Sequence, residues 1–337
     1  MSVIDFDKQK DLDIIPIGRI GVDLNANEIN RPMEEVESFK KTVGGSPANI
    51  AVGAARLGLN VGFISKVSND GLGRYCTHAL RKEGIDTSHV PTDETGAMNG
   101  VAFTEIISPS ECHNILYRNE AADLKISPEE MDEEYVKRAK AILISGTALS
   151  QSPSREAVLR CITFARQHNT KVVFELDYRP YIWKSKEETA EVYQEVARQS
   201  HVIIGTRDEF HALSPAYMDA DDVKIAEDWL REEPELVIIK RGEEGSKAYT
   251  REGKPAAGPV FSVSVVKTFG AGDAFAAGVL YGLINEFNLS TSLELGAGAA
   301  AIVISKNSCS EAMPYWNELM DFIEKQKTRK GGRMHDL

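Results

Sequence analysis

Short runs of apolar, β-branched residues alternate with longer segments of helical periodicity along most of this chain, and that alternation limits the fold more than any other feature. The strand candidates are residues 14–17, 61–67, 101–107, 142–144, 172–176, 202–204 and 237–240. Several are apolar almost throughout, as strands covered on both faces are. Helical patterns occupy 47–57, 72–83, 128–140, 154–168, 187–198 and 221–231. Ser127-Pro128-Glu129-Glu130 has the chemistry of a helix start: a hydroxyl cap, a proline at the first position and acids facing the dipole. The pattern predicts one α/β domain over residues 1–337, a doubly wound, mainly parallel sheet with helices on both faces.

Two stretches, about 25–42 and 95–119, break the alternation with no long helix. The second contains VAFTEII and NILYRN joined by Ser108-Pro109-Ser110-Glu111, which reads as a β-excursion. Together they are expected to form a small sheet, as a lid over a site or as a contact with a second copy. Beyond Val266 small residues and helices dominate, with a strand-like run at 261–266 before them and a last helix expected over 314–327. The basic tail 327–337 reads as a frayed terminus.

Charge narrows the partners. The 337 residues carry 51 acids and 39 Lys plus Arg, a net charge of −12. Nucleic acid and anionic membranes are therefore poor partners. No apolar run is long enough to span a bilayer, and the acidic N-terminal segment has no apolar targeting core. The four cysteines lie far apart without a CxxC pair, and the seven histidines show no metal-ligand spacing. A cytoplasmic protein with reduced thiols is expected.

Two glycine-rich elements carry chemistry. Thr268-Phe269-Gly270-Ala271-Gly272-Asp273-Ala274-Phe275 opens a helix, where unobstructed amides and the helix dipole make an anion cradle. An aspartate there repels a phosphate but suits a base that takes a proton from an attacking hydroxyl. An ordinary turn capped by Asp273 fits the local pattern equally. Gly44-Gly45-Ser46-Pro47-Ala48-Asn49 also opens a helix, with Asn49 offering donor and acceptor in the first turn. Neither a P-loop nor the GxGxxG spacing of a dinucleotide fold occurs, which disfavours an NAD-dependent oxidoreductase.

GGSPANIAVGAARLG together with TFGAGDAFAAG resembles the two signatures of the ribokinase (PfkB) family of sugar kinases. The likeness runs in order from about Ile14 to Pro314, through Gly18 and Asp23, Glu209 in GTRDEF, and KRGEEG at Lys240 to Gly245. It implies a ribokinase-like α/β domain with a β-lid that transfers the ATP γ-phosphate to a sugar hydroxyl. By position, Asp273 is implied as general base, with Gly270, Ala271 and Gly272 as anion hole. Asp23, Gly44, Gly45 and Asn49 match positions that hold sugar hydroxyls. Thr206, Glu209, Lys240, Gly242 and Gly245 fall on the nucleotide side, Glu209 organising magnesium through water. Arg118 and Arg179 match arginines that meet a substrate carboxylate in members acting on keto-deoxy sugar acids. The strings GTRDEF, ELDYRPYIW and SKNSCSEAMP resemble those of members acting on 5-dehydro-2-deoxygluconate, of myo-inositol breakdown, and that resemblance implies this acceptor, with 2-keto-3-deoxygluconate and fructose as alternatives. Many relatives pair through the lid, so a homodimer is implied. A silent nucleotide or sugar sensor on the same fold is the non-enzymatic alternative, and an intact Asp273 speaks against it.

Four departures from the family pattern stand out. Thr206 replaces the first amide of an NxxE string, and Glu175 and Asp177 replace an aspartate and an asparagine. Lys267 stands where an aspartate commonly helps bind a monovalent cation, and Asn307-Ser308-Cys309 lacks the usual Gly-Ala pair there. An ammonium would repel such an ion and could stand in for its charge, so little dependence on potassium is expected.

Overall fold

The computed structural model describes residues 3–109 and 111–332. Among them, thirteen strands form two sheets. The strands are β1 (Leu12–Ile17), β2 (Gly21–Ala26), β3 (Phe39–Gly44), β4 (Gly62–Ile64), β5 (Asp86–His89), β6 (Gly100–Ser108) and β7 (Glu111–Tyr117), followed by β8 (Ala139–Ser145), β9 (Lys171–Glu175), β10 (Val202–Thr206), β11 (Leu236–Lys240), β12 (Ser246–Thr250) and β13 (Ala256–Gly258). The large sheet runs β13-β12-β11-β10-β9-β8-β1-β4-β5, parallel from β11 to β5 and antiparallel only at β12 and β13. Its order reverses between β1 and β8, the switch point at which open α/β sheets leave a crevice beyond their strand ends.

Alternation along the central strands supplies both faces of the core. Ile14, Ala141, Leu143, Val173 and Ile204 point to one side; Ile15, Ile142, Ile144, Phe174 and Ile203 point to the other. All are fully buried, and each large side chain contributes about 1.5–3 kcal/mol by leaving water. Helices Ala271–Ile284 and Leu289–Ile304 pack on the first face. A Cβ at Gly278 would meet the Gly296 α-carbon at 2.8 Å, so glycine sets how closely these two helices cross.

The second sheet runs β3-β2-β6-β7, with β2 and β6 parallel and the other pairs antiparallel. It is the smaller β-lid, and it begins earlier than the broken pattern predicts. Asp23 is therefore a strand residue of the lid, opposite Thr42.

Three predicted elements differ. The helix over 128–140 is instead a 3-10 turn at Pro128–Glu130, a short helix Glu133–Lys137 and the start of β8. Asp132 caps the second turn through Glu134 and Tyr135 amides, and Ala139 is drawn into register with Leu12. Residues 261–266 form no strand: Val266 and Lys267 give their amides to the Ile304 carbonyl at a helix end, beyond the sheet edge at β13. The strand at 61–67 shrinks to Gly62–Ile64 with single bridges at Val61 and Val67. The last helix extends over Trp316–Gly332, and residues 333–337 of the basic tail lie outside the described residues.

Candidate active site

The carboxyl ends of β1, β8, β9, β10 and β11 bring Arg19, Thr147, Glu175, Asp177, Thr206 and Lys240 to one rim of the large sheet. Two helix N-termini converge on that rim. One begins at Ser46, the other at Ala271, and their first turns are bonded to each other.

Gly270 enters the second helix at φ 79°, a left-handed conformation that costs glycine little. It also lies close on Cys309, because an added Cβ would meet the sulfur at 3.0 Å. The first amides of that helix have no carbonyl one turn back, and Asp273 sits among them. Ser46 Oγ donates to Asp273 Oδ1 at 2.8 Å, and Asn49 Nδ2 donates to Oδ2 at 2.7 Å. Asp273 lies deep among protein atoms yet keeps partial access to the cleft. Burial raises its pKa above the usual carboxylate range and Asp177 adds to the rise, while Asn49, Ser46 and Arg179 oppose it.

A chain of charges extends from this point. Ser46 Oγ also lies 3.4 Å from Glu175 Oε2, and Lys240 Nζ lies 2.9 Å from Glu175 Oε1 and 3.8 Å from Glu209 Oε2. Burial raises the Glu175 carboxyl, and the Lys240 ammonium beside it opposes the shift. Burial would lower Lys240, but Glu175 and Glu209 outweigh it and raise its pKa. A Cβ on Gly272 would come within 3.2 Å of Lys240 Nζ, so this ammonium borders the glycine turn. Glu209 forms a capping box with Thr206, accepting its amide at 2.7 Å, and Thr206 pairs with Lys240 across β10 and β11. Gly242 and Gly245 take positive φ at the turn from β11 to β12, next to Lys240 in the chain.

On the opposite side, Asp23, Gly44, Gly45 and Asn49 form one wall. A Cβ at Gly44 would overlap the Asp23 carboxylate, 2.0 Å from its oxygen. Burial raises Asp23, Arg19 opposes, and Asp273 is close enough to add to the rise. Asn49 Oδ1 is buried without a hydrogen-bond partner among the described residues, an acceptor left open toward a ligand.

The two predicted carboxylate arginines part company. Arg179 is half exposed at the rim, its Nη2 2.7 Å from Asp177 Oδ1. Asp177 is held from behind by Ser145 and Thr147 hydroxyls. Arg118 is buried, paired through Nε and Nη2 with Asp123 Oδ2, and donates to the Thr147 carbonyl at 3.1 Å. Its charge is taken up within the protein, where the Asp123 side chain is only 1% exposed. Lys267 is fully buried behind the glycine turn, its Nζ 2.5 Å from the Phe269 carbonyl and 3.5 Å from Cys309 Sγ.

Sequence reasoning passed over Ser46 and Arg19. Ser46 stood in plain sight between Gly45 and Pro47, where a hydroxyl in the first turn of a helix is commonplace. Only the second helix, more than two hundred residues on, gives it Asp273 as a partner.

This geometry has close parallels. The chain is 52% identical over 334 residues to the 5-dehydro-2-deoxygluconokinase of Geobacillus kaustophilus, covering 99% of this chain and all of that protein. The crystal structure of a PfkB protein from Polaromonas sp. JS666 superposes with a TM-score of 0.81 at 26% identity, covering 92% of this chain and 99% of that one. An uncharacterized sugar kinase from Pyrococcus horikoshii, solved in complex with ATP, gives a TM-score of 0.78 at 26% identity over 92% of this chain and 99% of that one. Residues 11–316 match the model described as pfkB family carbohydrate kinase, and the chain belongs to that family.

Proposed function

We propose that this protein is an ATP-dependent kinase that phosphorylates the terminal hydroxyl of a keto-deoxy sugar acid, 5-dehydro-2-deoxygluconate. The reading rests on one observation above the others: Asp273, oriented by Ser46 and Asn49, at the mouth of a helix whose first amides are free. The acceptor oxygen attacks the γ-phosphorus, the bond to the β–γ bridging oxygen breaks, ADP leaves, and the hydroxyl proton passes to the Asp273 carboxylate. The Gly270–Gly272 turn would receive the charge on the transferring group, and Lys240 flanks it. Asp23 and Asn49 would orient sugar hydroxyls from the lid side. The relatives named 5-dehydro-2-deoxygluconokinase support the choice of acceptor.

Among the described residues no group of three or more His, Cys, Asp or Glu side chains is placed to cage a metal ion. Magnesium therefore fits here as a companion of the nucleotide phosphates, with Glu209 the carboxylate that would hold its water. When bound, it would neutralise phosphate charge. Lys267 supplies a fixed cation behind the glycine turn, which supports activity without potassium. The exposed Ile115 and Tyr117 on the edge strand β7 support pairing with a second copy through the lid. Four free cysteines suit a reducing, cytoplasmic setting, and no helix of the described residues is long and apolar enough to cross a membrane.

The deciding test offers 5-dehydro-2-deoxygluconate, 2-keto-3-deoxygluconate, fructose and ribose with ATP and magnesium. The first acid is expected to give the highest kcat/KM, and a preference for a neutral sugar defeats the reading.

A further inference from the structure

A sugar acid brings a carboxylate into a cleft already holding Asp23, Asp177 and Asp273, so at least one cation must face it. The cations near the cleft differ in how far their donors are committed. Arg118 is sealed against Asp123 and the Thr147 carbonyl. Lys240 sits between Glu175 and Glu209. Lys267 is buried behind the glycine turn. Arg179 pairs with Asp177 through one nitrogen at 2.7 Å, and its half-exposed side chain leaves water to satisfy the other donors.

Arg19 is different. It leaves the carboxyl end of β1 just after Gly18, and its side chain is only 15% exposed. Its nearest acid is Asp23, whose Oδ1 lies 3.9 Å from Nη2, too long for a hydrogen bond. Its Nε is buried with no hydrogen-bond partner among the described residues. An Nε–H kept from water without an acceptor is costly unless a ligand completes it.

Its position matches the need. A Cβ at Gly45 would lie 2.5 Å from the Arg19 carbonyl oxygen and 3.1 Å from its Cγ, so the missing side chain at Gly45 is what lets Arg19 lie along this wall. The next residue, Ser46, is bonded to Asp273. Consecutive α-carbons are about 3.8 Å apart. Arg19 packs on Gly45 and Asp273 is bonded to Ser46, so the two flank adjacent residues of one wall, and the Asp23 carboxylate feels both of them.

We infer that Arg19 binds the carboxylate of the acceptor and sets the preference for a sugar acid over a neutral sugar, a role that rests on the sugar-acid reading above. The fork of Arg19 takes a planar carboxylate through paired N–H bonds, and Asp23, only loosely engaged, remains free for a hydroxyl.

The test compares wild type, Arg19→Gln, Arg19→Lys and Arg179→Gln. The substrates are the keto-deoxy acid and the neutral ketose in which CH2OH replaces the carboxylate. Wild type must favour the acid; if it favours the ketose, the sugar-acid reading itself has failed before any variant is made. Given that preference, Arg19→Gln is expected to raise the KM for the acid about 10- to 100-fold, the size of a lost charge-assisted pair. The acid-to-ketose ratio of kcat/KM should fall by a similar factor, with ATP binding by calorimetry and the melting temperature checking the fold. Arg19→Lys keeps the charge without the fork and should lie between the two; it decides the matter if Arg19→Gln does not fold. An acid KM within about threefold of wild type in both Arg19 variants overturns the assignment. So does an equal loss on both substrates, or a selective loss of the acid in Arg179→Gln alone.

Discussion

Asn49 and Asp273 are joined by a 2.7 Å hydrogen bond across 224 residues of sequence, from the first turn of one helix to the first turn of another. With Ser46 on the other oxygen, each carboxylate oxygen accepts one hydrogen bond, which fixes its orientation and leaves lone pairs for a further proton. A base positioned this way needs no reorganisation when a hydroxyl arrives.

Replacing Asp273 by Asn removes the proton acceptor but keeps the shape of the side chain. Turnover is expected to fall by about 10²–10⁴, while ATP titrated calorimetrically still binds. Near-wild-type turnover in this variant would remove Asp273 from the role of base.

The pH profile follows from the direction of the Asp273 shift. As the proposed base, Asp273 works only when ionised, and burial with Asp177 raises its pKa. Activity should therefore be lost, as pH falls, at a higher pH than an ordinary carboxylate would dictate. Ser46→Ala removes a hydrogen bond that favours the charged form, so the acid limb of kcat/KM should move to still higher pH. A limb that stays in place, or moves down, contradicts the link.

Lys267 predicts how the enzyme responds to salts. Exchanging sodium for potassium should change wild-type turnover by less than about twofold, because the ammonium already occupies the back of the turn. Lys267→Met is expected to fold, since buried charges are often replaced by apolar groups without loss of stability, and to be much less active. Strict potassium dependence of the wild type would refute the idea.

Arg118 should behave as a stability residue. Arg118→Ala leaves the Asp123 carboxylate buried and unpaired, and is expected to cost about 3–5 kcal/mol in denaturant unfolding. Removing Asp123 as well should recover part of that loss. A variant as stable as wild type, with only the acid KM raised, would return Arg118 to the substrate.

The sheet, the two helix starts and the aspartate at the second of them were legible because each is written locally. β-branched runs in the 14–17, 142–144 and 202–204 stretches are buried on both faces whatever surrounds them, and GAGD at residues 270–273 carries its own backbone freedom and charge. The strand expected at 261–266 shows the limit of such patterns. Its last amide, Val266, finds the Ile304 carbonyl instead of a ladder partner, and the stretch belongs to neither sheet.

By itself, the sequence determined the α/β architecture, the glycine turns and the presence of an aspartate at the second of them. Only the tertiary structure decided which cations are free to meet a substrate. Arg118, Arg179, Lys240, Lys267 and Arg19 carry the same charge in a string of letters. In three dimensions Arg118, Lys240 and Lys267 are buried against Asp123, Glu175 and the Phe269 carbonyl, Arg179 is half exposed beside Asp177, and Arg19 keeps a buried Nε with no partner among the described residues. The physical reason is that a charge acts through distance and burial, and both are set by residues far away in the chain.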